Sequence, residues 1–457
     1  MTTAKMDRTG TAVPFEVDQQ TWKDIDLFDD GRVGPAYSLF NRVKTGGGEE
    51  ALVRMLRTPS NQRSLLQGRR DTIRFFQEKR VDLRVGREQL KRIEHYLSSG
   101  IFLIPDRWLK ALLYSLRNQA RQSTGHGALI NGVRMTVSLL RYLYQLRETW
   151  LADDCPAALA QELNELPGLI ADQRVSALVM GASRHLRLMD LAWCDHYFRG
   201  SGKACLRHLL RLLYEWDVFE AVATVTQQHG LSFPQYDDAP EPCVRAEGLF
   251  PITLNGAVPS DLELGKGVRL GLITGASRAG KTSFLKSFGL AVYLAHVGFP
   301  VPARSFRTTI FNGLVITIEP PDCLGQGFSR SYAEARRLKE VLSQVKQKRR
   351  VMVIFDELFG THLNDAGGEP LQVIEGLAAL EGSLFLLSSP GGDMAESLHA
   401  NPHIFLACFE SEMEGGVPWH SYRLKEGVCN ERTGTAWLRQ EGILDMLEEL
   451  QLGRVIN

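Results

Sequence analysis

The sequence predicts an α + α/β chain, with an all-helical N-terminal half followed by a phosphate-loop α/β domain. Three observations carry this. Residues 275–282 read Gly-Ala-Ser-Arg-Ala-Gly-Lys-Thr, the pattern G-x-x-x-x-G-K-S/T, set between a short apolar run at 268–274 and a helical run at 283–294. A second, wholly apolar run, Val351-Met-Val-Ile-Phe355, ends in Asp356-Glu357. It suits a strand of a parallel sheet buried on both faces. The first half instead shows leucines at helical spacing.

Taken in order, residues 1–20 are polar at their start and read as a tail without a secretory core. From 21 to 235 the pattern is helical. Leu52, Met55 and Leu56, then Leu109, Leu112, Leu113 and Leu116, then Leu139, Leu140, Leu143 and Leu146 form apolar stripes. Leu206, Leu209, Leu210, Leu212 and Leu213 form another, and all read as helix-bundle core. Breaks at 153–156 and 165–168 predict a helical hairpin near the middle. Residues 236–247 sit in a Pro-rich acidic stretch and read as a linker. From 248 to 457 strands alternate with helices, as in an α/β nucleotide-binding domain.

Composition bounds the function. The 457 residues are 44% hydrophobic and 23% charged, an ordinary soluble balance with ample core material. Net charge is zero, so no overall field marks nucleic acid or a membrane surface. Residues 50–150, however, hold nineteen Lys/Arg against eight Asp/Glu. Arg69, Arg70, Arg74, Lys79, Arg80, Arg84, Arg87, Lys91 and Arg92 make either a basic face or a set of solvated helix surfaces. The seven cysteines form no C-x-x-C pair. Their odd number and scatter point to a reducing cytosol rather than a disulfide framework or a zinc site. The longest apolar stretch, 289–301, contains His296 and is too short to span a bilayer. It reads as the helix behind the phosphate loop. The expectation is a cytoplasmic protein without membrane partners.

The motif residues suggest specific chemistry. Gly275 and Gly280 permit backbone angles that aim successive N–H groups at phosphate oxygens. The helix N-terminus adds partial positive charge. The cradle for ATP is therefore Gly275, Ala276, Ser277, Arg278, Ala279, Gly280, Lys281, Thr282 and Ser283. Lys281 reaches the β- and γ-phosphates, and Thr282 with Asp356 holds Mg²⁺. Glu357 polarises the attacking water. An Asp-Glu pair, rather than a lone Asp, favours hydrolysis over simple nucleotide binding. The alternative reading is an acidic pair that ends a strand and caps the next helix.

Further segments carry a resemblance. Val258-Pro-Ser-Asp-Leu262 precedes the first core strand, and Asp356-Glu-Leu-Phe-Gly-Thr361 forms the acidic strand end and its turn. Between them lies Asp322-Cys-Leu-Gly-Gln-Gly-Phe-Ser-Arg-Ser-Tyr-Ala-Glu334. Upstream are Asp26-Leu-Phe28, 37–45, Leu56-Arg-Thr-Pro-Ser60, 69–76, 214–222 and Ser232-Phe-Pro234. Together they resemble the MutS family of DNA mismatch-repair ATPases, which belongs to the ABC class. The resemblance implies a core/lever domain at 21–235 and an ABC-type ATPase domain at 248–457. It implies a homodimer in which Ser329 reaches in trans to the γ-phosphate held by the other subunit. That segment also reads, by itself, as an ordinary serine-rich helix start. ATP-driven closure would then move helical levers.

Departures from the family pattern shape the expectation. The chain starts at the lever, so a mismatch-reading domain is not expected and classical mismatch recognition is disfavoured. Ser389 stands where the family has a γ-phosphate-sensing histidine, which predicts low ATPase activity. Ala257 stands where an aromatic residue stacks on adenine, and Ser277 replaces an asparagine. Two partner classes fit. One is DNA of branched or other non-mismatch structure, held through the basic half at 50–150. The other is a protein, with the ATPase acting as a switch.

Overall fold

The computed structural model describes residues 15–29, 32–99, 124–170, 172–181, 186–254, 256–276, 278–318, 330–358, 368–389, 393–414, 417–428, 442 and 446. Ser277 and the segment holding Ser329 lie outside the described residues, as does the stripe from Leu109 to Leu116. The chain makes two compact units. One is built from Phe40–Thr58 and Gln67–Gln227, the other from Met1–Leu39, Pro59–Leu66 and Gln228–Asn457. The boundaries expected from the sequence cut across these units, because the first described segment joins the sheet of the second half.

That segment comprises β1 (Glu16–Val17), α1 (Gln19–Asp24), β2 (Phe28–Asp29), β3 (Arg32–Val33) and α2 (Pro35–Phe40). Asp18 caps α1 by accepting the Thr21 amide at 2.8 Å. The expected tail at 1–20 thus ends in ordered structure.

The helical unit carries α3 (Gly46–Arg57), α4 (Arg63–Glu78), α5 (Arg87–Ser98), α6 (Thr124–Ala152), α7 (Ala157–Glu165), α8 (Gln173–Met180), α9 (Leu188–Arg199) and α10 (Lys203–His229). Leu52, Met55 and Leu56 are buried, as are Leu139, Leu140 and Leu143, so these stripes are core. The break expected at 153–156 falls between α6 and α7. An aromatic cluster of Phe75, Phe76, Trp150, Trp216 and Phe219 fills the centre, with ring centroids 5.2–6.3 Å apart. Buried Asp217 accepts the amides of Lys44 and Thr45 and the Thr45 hydroxyl at 2.6–2.9 Å. The Thr45 hydroxyl in turn caps α3 by accepting the Gly48 amide.

The second unit continues with β4 (Gln235–Tyr236), β5 (Val244–Leu249), β6 (Ser260–Leu264) and β7 (Leu270–Gly275), then α11 (Lys281–Val297). There follow β8 (Ser305–Thr308), β9 (Gly313–Thr317), α12 (Arg330–Lys348), β10 (Val351–Phe355) and α13 (Glu369–Ala379). Last come β11 (Leu384–Ser388), α14 (Asp393–Leu398), β12 (Ile404–Glu414) and β13 (Val417–Glu426). The expected linker at 236–247 carries the end of β4 and the start of β5. Its prolines, Pro240 and Pro242, lie in the loop between the two strands, where no ladder hydrogen bond needs their missing N–H.

The main sheet has the order β1-β9-β10-β11-β7-β12-β13. All neighbours are parallel except the β12–β13 hairpin. A smaller sheet orders β4-β8-β5-β6. Every residue of β7, β9, β10 and β11 is buried, as expected when helices cover both faces. On one face Leu272, Val353, Phe355, Phe385 and Leu387 pack with Leu338 and Val341 of α12 and Ile374 and Leu377 of α13. The residues of α11 from Ser287 to Val297 are all buried, as the apolar run there predicts. Gly289 brings that helix close to the sheet, since a Cβ there would sit 2.3 Å from Ile316 Cδ1.

Among the described residues no helix is long and apolar enough to cross a membrane. Cys155, Cys194, Cys205 and Cys243 are free. Cys408 is disulfide-bonded, whereas the sequence pointed to a reducing cytosol rather than a disulfide framework. Spacing along a sequence says nothing about which thiols a fold brings together.

Candidate nucleotide site

The site assembles at the carboxyl ends of β7, β10 and β11, where parallel sheets place their ligands. β7 runs into the glycine loop and α11 begins at Lys281. Gly275 has φ +140° and Gly280 has φ +109°. A Cβ on Gly275 would lie 2.9 Å from the Phe409 carbonyl, so only glycine fits there. Arg278 takes φ +66° without being glycine, a conformation that costs on the order of 1 kcal/mol and marks a held backbone. Gly280 caps α11 with no side-chain bond, which leaves the first-turn amides for an anion.

Lys281 is buried and its Nζ donates to the carbonyls of Gly275 and Ala276 at 2.8 and 3.0 Å. Burial lowers its pKa, while the carboxylates of Glu357 and Asp356 oppose that shift. Thr282 donates to Asp356 Oδ2 at 2.5 Å. Ser388 donates to Asp356 Oδ1 and accepts the Glu357 amide at 2.9 Å. Asp356 is anchored again by its amide, which donates to the Thr317 carbonyl at 2.9 Å. Glu357 has φ +49°, so the strand end is a second strained point in the site.

The structure therefore brings Lys281, Thr282, Asp356 and Glu357 together from a loop and a strand tip far apart in sequence. Thr282 and Asp356 offer two hard oxygen donors in contact, which suits Mg²⁺. That ion is held by one or two protein oxygens and completes its shell with phosphate and water. Ser389, at the expected switch position, is buried, and its amide donates to the Ile273 carbonyl at 2.9 Å. The neighbouring Ser388, which the sequence reading passed over, is the residue that holds the acidic pair. Its signal is the parallel register, which sets Ser388 beside Ile273 and Leu387 beside Phe355. A small cleft beside the pair is lined by Thr317, Glu334, Arg337, Asp356 and Glu357.

The helical unit holds a second, open cleft of about 800 Å³ between α5 and α10. Lys91 and His95 line one side and Arg207 and Arg211 the other, over Leu97 and Leu210. Glu94 on its wall accepts the hydroxyl of Tyr214. Among the described residues no carboxylate pairs with the four basic groups. Elsewhere in this unit Lys44, Arg54, Arg87 and Arg199 all have acidic partners.

Comparison with known proteins agrees with the strand–loop–helix geometry. Residues 271–444 match the family MutS domain V. The chain is 34% identical over 155 residues to the DNA mismatch repair protein MutS of Thermus thermophilus, covering 34% of this chain and 18% of that protein. It is 28% identical over 291 residues to the DNA mismatch repair protein MutS of Sorangium cellulosum, covering 62% of this chain and 31% of that protein. The MutS of Thermus aquaticus is 34% identical over 155 residues, again 18% of its length. The chain thus spans a third or less of these relatives. Over residues 271–444 the chain is similar to domain V of the MutS family.

Proposed function

We propose that the chain is an ATP-binding and hydrolysing, ABC-type homodimer whose nucleotide-driven closure moves its helical half. The observation that carries this is the direct contact of Thr282 with Asp356 beside the buried Lys281. Lys281 and the loop amides bind the phosphates. Thr282 and Asp356 hold the metal, and Ser388 fixes the carboxylate that does so. Glu357 accepts the proton of the attacking water. When bound, Mg²⁺ supplies charge neutralisation at the phosphate oxygens. Ser329 completes the partner subunit's site. The Ser389 position predicts slow turnover.

The helical half acts on DNA of branched or other non-mismatch structure. The surplus of basic residues at 50–150 and the cationic cleft between α5 and α10 support a polyanionic partner. The apolar floor of that cleft, Leu97 and Leu210, favours a second reading, in which an acidic protein segment is the partner and the ATPase is its switch.

The test is a mass measurement of Glu357→Gln with and without ATP, repeated with duplex, forked and single-stranded DNA. A dimer that forms only with ATP supports the proposal, and a monomer under all conditions overturns it. Salt-sensitive DNA binding supports the first partner. Absence of DNA binding at low salt favours the second.

A further inference from the structure

Arg337 is nearly buried, its side chain only 10% exposed, and it stands outside the phosphate loop and the acidic pair. Its guanidinium joins three elements. Nε donates to Thr317 Oγ1 at 3.0 Å, at the last residue of β9. Nη2 donates to Asp18 Oδ2 at 2.6 Å, the cap of α1, and lies 3.4 Å from the Ile316 carbonyl. Nη1 faces Glu340 of its own helix at 3.9 Å. The same β9 tip is also held by α1: Thr21 Oγ1 accepts the Ile316 amide and Asp24 Oδ2 accepts the Ile318 amide, both at 2.8 Å. The tip in turn accepts the Asp356 amide through the Thr317 carbonyl. A continuous series of bonds thus runs from Asp18 through Arg337 and Thr317 to Asp356. Arg337 also lines the cleft that Asp356 and Glu357 open into.

We propose that Arg337 is a positioning residue for hydrolysis. It acts through Thr317 to set the β9 tip against Asp356, and it draws the N-terminal segment into the nucleotide site. A planar fork with donors to several elements fixes geometry that lysine cannot reproduce. Small misplacement of reacting groups costs large factors in rate. The proposal rests on the ATPase reading above.

The experiment compares wild type with Arg337→Gln, Arg337→Lys, Asp18→Asn and Thr317→Val. It measures ATP affinity with a fluorescent analogue, steady-state kcat and KM, and thermal midpoint. Arg337→Gln is expected to keep ATP affinity within about twofold and to lose about tenfold in kcat. Thr317→Val should reproduce most of that loss, Asp18→Asn a smaller part, and Arg337→Lys should restore little. Adding Asp18→Asn to Arg337→Gln should bring no further loss, because both act in one network. Wild-type turnover in both Arg337→Gln and Thr317→Val overturns the proposal. So does a fall in kcat that tracks a matching fall in thermal midpoint and ATP affinity in both. A wild-type protein that binds no ATP overturns the ATPase reading itself, and the assignment of Arg337 with it.

Discussion

Lys281 Nζ lies 3.9 Å from Glu357 Oε1 while it bonds to two carbonyls of its own loop. The lysine is thus already fixed over the cradle, and its charge is balanced by the residue proposed to work on water. In the proposed nucleotide complex a polyphosphate, with more negative charge than one carboxylate, would replace those contacts.

The two residues should separate on mutation. Lys281→Ala removes the cation that grips phosphate, so ATP binding should vanish. Glu357→Gln keeps the side-chain volume and removes the base, so binding should persist while turnover falls about 100-fold or more. Equilibrium nucleotide binding and steady-state hydrolysis check both. Wild-type turnover in Glu357→Gln would remove the role given to that carboxylate.

Ser388→Ala deletes the donor to Asp356 Oδ1 and orphans the Glu357 amide. The Mg²⁺ concentration for half-maximal hydrolysis should rise several-fold and kcat should drop roughly tenfold. A magnesium titration of the ATPase decides this, and an unshifted midpoint would mean Ser388 is dispensable.

How much of this was legible beforehand varies by residue. The turn from Gly275 to Thr282 between a strand and a helix could be read directly because its pattern sets neighbouring residues at fixed spacing. Asp356 and Glu357 were legible because an apolar strand announces its own end. Ser388 was not, since its place depends on which strands lie side by side, and a serine after Leu387 carries no local mark. Glu16 and Val17 were read as tail because two residues show no period. Arg337 was invisible because its partners lie at Asp18 and Thr317, on other elements.

Asp217 should matter for stability rather than chemistry. Its carboxylate satisfies two amides and a hydroxyl beside the start of α3. Asp217→Ala leaves those donors without a partner and should cost about 3 kcal/mol. Asp217→Asn should cost less, because the amide oxygen still accepts. Urea unfolding gives both values, and a loss under about 0.5 kcal/mol would contradict the burial argument.

His296 predicts a pH effect. It is fully buried, its Nδ1 bonds the Val292 carbonyl and its Nε2 accepts the Phe311 amide. Burial pushes its pKa down to about 4 from the ordinary 6.5. The unfolded chain therefore takes up the proton first as pH falls. Stability is fully present above 6.5 and drains away between 6.5 and 4, by roughly 3 kcal/mol in all. Comparing urea midpoints at pH 7 and pH 5 should show a steeper fall for wild type than for His296→Gln. Identical falls would rule this out.

The cleft between α5 and α10 gives the partner test. Arg207→Glu combined with Arg211→Glu reverses charge where Lys91 and His95 face it. If the partner is DNA, affinity should drop and the salt dependence should flatten by about two phosphate contacts. Gel shifts at two salt concentrations measure this. Unaltered DNA binding would move the contact elsewhere.

The strand at Glu16–Val17 pairs with one at Gly313–Leu314, so the α/β unit is not a continuous stretch of chain. A ribosome makes the first partner long before the second exists. The early piece must wait, unsatisfied, until the rest of the sheet emerges. An excised fragment starting near residue 248 would leave one border of the sheet bare, with the Ile316 and Ile318 amides unpaired. Such a border invites pairing with other molecules. Anyone isolating the α/β unit for expression should therefore keep the first forty residues, or expect precipitate.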